Sequence, residues 1–438
     1  MSQFNEPADP PHGAAGGGAP CKGAAAPPSS DQSDRRDAEV DAALRFLLVP
    51  GIGVGRMRLL RESYGTFAAA LLADAAGAAV ALRVDPAEAA RLLAAARRAD
   101  DALGIEREQA RRSGVAFRLL SDRDYPELLR ASPDPPELLF VRGELDAAPE
   151  AAVAIVGSRR ATAYGCLQAG AMSVALAEHG MTIVSGGARG IDAEAHRGAL
   201  RAGGRTIAVL ATGFAHPYPS EHVGLFESIV EGGGALVTEQ PSFVTARPDL
   251  FPRRNRVIAS LSLVTVVVEA ALRSGALLTA RIAVDDLSRD VGCVPGPVTS
   301  ALSAGCHRAI REGWATLVTC ADDVVAMLAG ARTLVSGAQE AAQRVRADPK
   351  PPALTPRASS RAVQRETPRS NDAPMRSKDA SELSAAIHRL GRAGFDELER
   401  ELAWTVPRIA TAALELELLG LAERDAEGAF RVKSRRLA

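Results

Sequence analysis

Hydrophobic and polar residues follow three different patterns along the chain. Between residues 42 and 131 leucines recur at helical spacing, beginning with Leu44, Leu47 and Leu48, and this predicts a small helical domain. From Val153 onward short apolar runs alternate with amphipathic stretches, which is typical of strands and helices in succession. Residues 381–438 carry three helical stretches and then hairpin-like sequence, an order that favours a winged-helix domain.

The central region predicts an α/β fold, because alternating strands and helices build a parallel sheet covered by helices on both faces. Ligands of such sheets bind beyond the carboxyl ends of the strands. The helical segments are expected at 165–179, 193–202, 222–231 and 279–287. The candidate strands are Val153–Val156, Thr182–Val184, Thr206–Leu210, Ala235–Thr238, Leu263–Val268, Val291–Val294 and Thr316–Val318.

Composition separates these regions from one another. Residues 1–38 are rich in Pro, Gly, Ala and Ser and poor in large apolar groups, so a disordered tail is expected there. Residues 331–380 are rich in Pro, Ser, Ala and Arg without a sustained period, which indicates a flexible linker. The predicted domains are therefore 39–131, 132–330 and 381–438.

The overall composition argues against several classes of protein. The 438 residues are 47% hydrophobic, enough for real cores, and a formal net charge of -1 means that an anion has to bind a local patch. The five cysteines are scattered without a CxxC pair, which argues against a disulfide framework or a zinc site and fits a reducing cytoplasm. The longest strongly apolar run, Leu263–Val268, is far too short to span a membrane.

One stretch, IVSGGARGIDAEAHRG at 183–198, combines a strand, a glycine loop and a helix N-terminus. Its glycine amides and the Arg189 cation are suited to hold a phosphate against the positive end of the helix dipole. A tight turn between strand and helix explains the same pattern equally well. Asp192 and His196 stand four apart on this helix; a capping Asp192 beside a polar His196 is favoured over an acid/base or ligand pair.

Companion loops are expected at the same edge of the sheet. They contain Gly157–Arg159, Thr212–Ser220 and Glu269–Gly275, and Phe251–Arg256 adds three arginines in four residues before a helix. Aromatic residues are only 4% of the chain, yet Phe214, Tyr218, Phe243 and Phe251 fall on or near these loops. Arginines interleaved with aromatics suit single-stranded nucleic acid, because bases stack while phosphates pair with cations. For any one of these aromatics a packing role is the simpler interpretation.

Several enzymatic signatures are missing. GxxxxGK[ST], a GxGxxG at the first strand and GxSxG are all absent, which argues against a P-loop NTPase, a dinucleotide site and a nucleophile elbow.

In the terminal regions, Pro50–Gly55 resembles a helix-hairpin-helix turn, although a turn that lets two helices pack is favoured. The expected recognition helix near Pro407 offers Arg408 but also Glu415 and Glu417, which favours protein contact or weak DNA binding.

Seven ordered segments carry a family pattern: GSR at 157–159, SGGARGID at 185–192, YPSEH at 218–222, FPRRNR at 251–256, EAALRSGALLTA at 269–280, VPGPVTSALSAGCHRAIREG at 294–313, and Ala321–Val324. In this order and spacing they resemble the bacterial DNA-processing protein A family (DprA, also called Smf). The resemblance implies an extended Rossmann-like domain between a small helical (SAM-like) domain and a winged-helix domain.

The resemblance also implies a function. Members bind single-stranded DNA without a nucleotide, displace single-strand-binding protein, load the RecA recombinase onto incoming strands during natural transformation, and dimerise through the Rossmann-like domain. No catalytic residue, cofactor, metal ion or membrane contact is expected. The residues expected to bind DNA are Gly157, Ser158, Arg159, Ser185, Gly186, Gly187, Arg189, Gly190, Tyr218, Ser220, Arg253, Arg254, Asn255, Arg256, Ser274 and Gly275.

Three departures from the family pattern bear on this expectation. SGGARG stands where SGLARG is commoner, Ser220 and His222 stand where Lys and Asn are frequent, and Gln240–Leu250 lacks the usual GxxP-rich sequence.

Two other functions stay open. One is a nucleotide-processing enzyme of the lysine-decarboxylase-like Rossmann group, although its PGGxGTxxE motif is absent at the comparable place, Glu269–Thr279. The other is a scaffold that acts through its terminal domains alone.

Overall fold

The computed structural model of the chain describes residues 30–146, 151–330, 378–390, 393–402, 404, 408–409, 412–413, 416, 422–424 and 430–432. The chain divides into two compact units, Met1–Pro349 and Lys350–Ala438. Most of the predicted tail (1–29) and nearly all of the predicted linker (331–377) lie outside the described residues.

Six helices open the larger unit: α1 Ser30–Leu47, α2 Val54–Tyr64, α3 Phe67–Leu72, α4 Ala75–Leu82, α5 Pro86–Arg97 and α6 Asp100–Arg112. Thr66, Asp74 and Asp85 cap α3, α4 and α5 by accepting a hydrogen bond from a backbone amide three residues on. The helices enclose a core that includes Phe46 and Leu60, both fully buried. This confirms the helical pattern of the N-terminal region.

Helix α1 begins inside the range predicted to be a tail. Arg36 donates hydrogen bonds to Asp122 Oδ2 at 2.7 Å and to the carbonyl of Phe117 at 2.8 Å. The Arg36 guanidinium therefore fixes the first turns of this helix. Composition predicts order only through the burial of apolar residues, and such burial contributes little to these turns. The prediction of disorder was wrong for residues 30–38.

Two strands that the sequence analysis missed precede the predicted sheet. Strand β1 (Val115–Leu119) alternates buried and more exposed residues, and β2 (Leu138–Gly143) pairs with it in antiparallel register; the short helix α7 (Glu127–Arg130) lies between them. Residues 115–119 were predicted to be helical, and this was wrong, because V-A-F-R-L has the two-residue period of a strand with one buried face. The helical region thus ends at α6.

Seven further strands follow β1 and β2: β3 Ala152–Gly157, β4 Thr182–Ser185, β5 Thr206–Val209, β6 Ala235–Thr238, β7 Val264–Val268, β8 Asp290–Cys293 and β9 Thr316–Leu317. The nine strands form one sheet in the order β1-β2-β6-β5-β4-β3-β7-β8-β9. Strands β3 to β9 form a parallel array, as predicted, whereas β2 joins β6 in antiparallel orientation, so the sheet is mixed rather than wholly parallel.

Helices cover both faces of the sheet, which confirms the Rossmann-like fold. The helices are α8 Ala163–Glu178, α9 Ile191–Arg201, α10 Val223–Glu231, α11 Leu250–Ser260, α12 Gly275–Arg281, which continues into a π-helical turn at Ile282–Asp286, α13 Ala304–Arg311 and α14 at 321–330. The alternation along β3 divides the core. Val153 and Ile155 face the layer of α8, α9 and α14, whereas Ala154 and Val156 face α11, α12 and α13.

In the smaller unit the described residues include helices α15 (Lys378–Leu390) and α16 (Phe395–Leu402) and the antiparallel strands β10 (Ala422–Arg424) and β11 (Phe430–Val432). Leu383, Leu398 and Phe430 belong to one buried cluster. Most of the expected recognition helix, with Glu415 and Glu417, lies outside the described residues. The winged-helix arrangement stays a prediction.

Candidate nucleic-acid interface

A groove of about 770 Å³ lies at the carboxyl ends of β3 to β7, where a ligand of such a sheet is expected. All five loops that follow these strands contribute to its wall. Half of the sixteen predicted residues line it, namely Gly157, Ser158, Arg159, Tyr218, Arg254, Asn255, Ser274 and Gly275. The other eight, Ser185, Gly186, Gly187, Arg189, Gly190, Ser220, Arg253 and Arg256, do not line it.

Arginines and aromatic rings form a continuous row along the groove. The Arg159 guanidinium lies over the Phe251 ring, 4.5 Å from its centroid, and the Phe251 and Tyr218 rings meet edge to face with centroids 5.7 Å apart. The Arg189 guanidinium lies 5.6 Å from the Tyr218 centroid. We call Arg159, Phe251, Tyr218 and Arg189 the arginine–aromatic row. Two adjacent rings thus lie between two cations along one surface, although Arg189 itself lies just outside the groove wall.

Arg189 is held at the end of this row by two partners. Its guanidinium pairs with the Glu221 carboxylate, and its Nη1 donates to Tyr218 Oη at 3.3 Å. The side chains of Arg189 and Glu221 are each about half exposed, so a phosphate can compete for this pair. Ser220 stands beside Glu221 and supplies no charge.

The glycine loop has a structural role, as its interpretation as a tight turn between strand and helix expects. The amide of Ala188 donates to Asp192 Oδ2 at 3.3 Å, so the protein's own carboxylate lies where a phosphate was expected. Ser185 Oγ donates to the Ile155 carbonyl at 2.6 Å and is fully buried. Gly190, at φ 76°, brings the loop against the Ser158 backbone, where a side chain does not fit. The loop therefore fixes the position of Ser158 and Arg159.

Asp192 is balanced by Arg254 rather than by His196. Burial lowers the pKa of Arg254 to about 10 and raises the pKa of Asp192, and the attraction between the two charges opposes both shifts. His196 is buried and shares a hydrogen bond of 2.7 Å with Thr206 Oγ1. Burial lowers the pKa of His196 to about 3, so the ring is neutral at physiological pH. Asp192 lies in the first turn of α9, whose N-cap is Gly190, and its carboxylate accepts from the Ala188 amide that precedes the helix.

The three arginines of FPRRNR do not form the compact phosphate-reading surface expected from their spacing. Arg253 is exposed, but Arg254 is buried and donates to the carbonyls of Gly186 and Val209. Arg256 pairs with the buried Glu239 and, at 3.2 Å, with Asp134. The helix sends successive side chains in different directions, and two of the three cations are used inside the protein.

Three arginines that the sequence analysis missed also line the groove: Arg160, Arg247 and Arg273. All three are exposed. Arg160 follows the GSR segment, and Arg273 precedes the predicted Ser274 and Gly275, so the position of each at a strand end was the available signal. With Arg159 they give the groove wall four exposed cations, against one carboxylate, the buried Asp192.

Other polar groups at the rim serve the helices. Ser274 Oγ accepts from the Ala276 amide at 3.2 Å and caps α12, and Asn255 Nδ2 donates to the Gly275 carbonyl at 3.2 Å. Glu269, which begins the segment compared with the motif of nucleotide-processing enzymes, is buried outside the groove wall. Its oxygens accept from the amide and the hydroxyl of Thr162 at 2.8 and 2.5 Å. Its place in the fold therefore does not favour that activity.

A sequence model of DNA recombination-mediator protein A matches residues 116–329. A protein named Smf from Synechocystis is 34% identical over 333 residues, which span 73% of this chain and 80% of that protein. The chain belongs to the DNA recombination-mediator protein A family. The match begins within β1, so both antiparallel strands lie within the matched region, and the domain boundary at residue 132 stays a prediction.

Further relatives match mainly this domain. A putative DNA processing protein DprA from Mycobacterium tuberculosis is 50% identical over 192 residues, 43% of this chain and 49% of that protein. The alignment thus spans about half the length of such curated relatives. The crystal structure of DNA processing protein A from Streptococcus pneumoniae superposes with a TM-score of 0.57 at 33% identity, covering 66% of this chain and 97% of that one. The family resemblance inferred from the sequence motifs is confirmed.

Two features bear on other kinds of site. Within the described residues no helix is both long and apolar enough to cross a membrane. In the same part of the chain, no three His, Cys, Asp or Glu side chains are grouped so that they could hold a metal ion.

Proposed function

We propose that the protein is a recombination mediator that binds single-stranded DNA in the groove, and that it is not an enzyme. The observation that carries this proposal is the arginine–aromatic row. Two rings flanked by two guanidiniums combine the two kinds of group that bind a single strand, since bases stack on rings and phosphates pair with cations. Membership of a family described as DNA recombination mediators supports the same function.

The row favours a single strand over a duplex. Tyr218 is 37% exposed and can offer part of its ring face to a base, but the faces of paired bases inside a duplex are covered by their neighbours. The groove arginines supply charge without a helix or ribbon shaped for the major groove. We therefore expect binding that depends little on sequence.

Salt dependence measures how many phosphates the groove binds. Four wall arginines and Arg189 give about four to five contacts, so log affinity should fall against log salt with a slope of about -3. Titrating a fluorescent oligothymidylate at several salt concentrations, with duplex as competitor, measures both properties. Equal affinity for duplex and single strand, or a slope near zero, would contradict the proposal.

The partners are part of the proposal. We infer that the protein displaces single-strand-binding protein, loads RecA onto strands taken up during natural transformation, and acts as a homodimer in the cytoplasm. These roles follow from the family resemblance. RecA filament formation on strands already coated with single-strand-binding protein tests them. The protein should shorten the lag of this reaction, and Arg159→Ala should not.

A further inference from the structure

A second pair of aromatic rings lies outside the groove. Phe243, on the segment between β6 and α11, is 49% exposed. Its ring meets the His216 imidazole edge to face, with centroids 6.3 Å apart and planes at 66°. Neither residue lines the groove. A single exposed apolar side chain is common, so the feature that distinguishes Phe243 is its position beside a groove that already presents rings and cations.

The two segments that carry these rings are tied to each other. The Gly213 amide donates to the Val244 carbonyl and the Ala215 amide to the Ser242 carbonyl, both at 2.9 Å. Ser242 is anchored in turn on the buried Glu106 of α6, to which its amide donates at 3.0 Å and its hydroxyl at 2.5 Å. The rings of Phe243 and His216 therefore stand on a fixed support, and we call this pair the outer platform.

The outer platform is continuous with the groove. Tyr218 of the groove wall follows His216 by two residues, and Ala246 of the wall follows Phe243 by three. Three extended residues span at most about 11 Å, so the platform begins within that distance of the wall. Arg247, an exposed cation of the wall, comes next along the chain. A strand leaving the groove here meets a cation and then an open ring.

We propose that the outer platform stacks one further base of the strand bound in the groove. The proposal rests on the proposed function, because the occupant is the continuation of that strand. A nucleobase fits the site, because it has an apolar face for the exposed Phe243 ring. Arg247, four residues along the chain, lines the groove and pairs with the half-exposed Asp249 at 3.4 Å, a weak pair for which a phosphate can compete. Phe243 lies in the segment Gln240–Leu250, where the sequence departs from the family pattern described above.

Oligothymidylates of increasing length, titrated by fluorescence anisotropy, test the proposal with Phe243→Ala and Phe243→Trp. Wild type and Phe243→Ala should have the same affinity for the shortest oligonucleotide that fills the groove. Once the oligonucleotide is long enough to reach the outer platform, the affinity of wild type should rise about five- to tenfold. Phe243→Trp should show the same rise, and Phe243→Ala should not. An abasic spacer at that nucleotide should remove the difference. Leu72→Ala, which removes an exposed apolar side chain from α3, should bind every length like wild type.

The outcomes separate this proposal from the proposed function. If Phe243→Ala binds every length like wild type, or loses affinity equally at every length, the outer platform does not stack a base. A Phe243→Ala variant that keeps its DNA affinity but no longer binds RecA would make the platform a protein contact instead. If wild type binds no single strand, or Arg159→Ala changes nothing, the groove itself is not the DNA site.

Discussion

Arg254 and Asp192 share the space beside Gly186 beneath the groove. A Cβ atom on that glycine would lie 2.6 Å from Asp192 Oδ2 and 2.7 Å from Arg254 Nη1. Arg254 also donates to the carbonyls of Gly186 and Val209, so one buried cation joins the ends of β4 and β5 and balances one buried carboxylate. The FPRRNR segment thus contributes to the floor of the groove as well as to its charge.

Arg254→Ala is expected to destabilise the larger unit strongly. The change leaves Asp192 buried without its partner charge and two carbonyls without a donor, and breaking a buried pair in this way costs about 3–5 kcal/mol. Urea unfolding followed by circular dichroism measures the loss. The neighbouring Arg253→Ala is the matched control; because Arg253 is exposed, its free energy of unfolding should change by no more than about 0.5 kcal/mol. Equal effects of the two substitutions would show that the buried pair does not stabilise the fold.

Glu221→Gln should strengthen binding of single-stranded DNA. The Glu221 carboxylate neutralises Arg189 at the end of the arginine–aromatic row, and removing its charge frees the guanidinium for a phosphate. Exposed pairs of this kind are weak, so we expect the Kd to fall by about two- to fivefold. Arg189→Ala should raise the Kd and reduce the salt slope by about 0.7. Glu62→Gln, which alters the exposed pair with Arg58 in the helical region, should change neither quantity.

Tyr218→Ala should weaken DNA binding without weakening the fold. The substitution removes a partly exposed ring from the arginine–aromatic row, and loss of one stacked base raises the Kd by about five- to a hundredfold. Tyr218→Phe keeps the ring and loses only the oxygen that accepts from Arg189, so it should bind within about twofold of wild type. Anisotropy titrations measure both variants. If Phe and Ala weaken binding equally, the hydroxyl matters and stacking does not.

The sequence predicted the place of the groove better than the residues that form it. Strand–helix alternation is a local property, and it indicates the carboxyl edge of the sheet and the loops that meet there. Whether a charged side chain is paired inside the protein or exposed in the groove depends on residues far away in the sequence. Arg256 pairs with Asp134, 122 residues away, and no spacing along the chain indicates this.

The glycine loop shows that prediction from sequence also fails for residues close together in the chain. Its glycines suggested space for a phosphate, but the structure fills that space with Asp192, four residues after Ala188. Gly190 is needed because two backbones touch there. Glycine-rich sequence predicts close approach, and only the fold decides whether a ligand, a carboxylate or another backbone approaches.

Acid should destabilise the protein through His196, whose buried ring has a pKa of about 3 in the folded state, well below its value of 6.5 as a free side chain. The unfolded chain therefore binds a proton below pH 6.5 that the folded chain does not, and the stability lost amounts to as much as about 1.4 kcal/mol per pH unit between pH 6.5 and 3. Above pH 6.5 this contribution is constant. His196→Gln keeps a polar partner for Thr206 and cannot titrate. Urea midpoints at several pH values from 7.5 to 4.5 should fall less steeply for the variant, and parallel curves would show that His196 takes up no proton on unfolding.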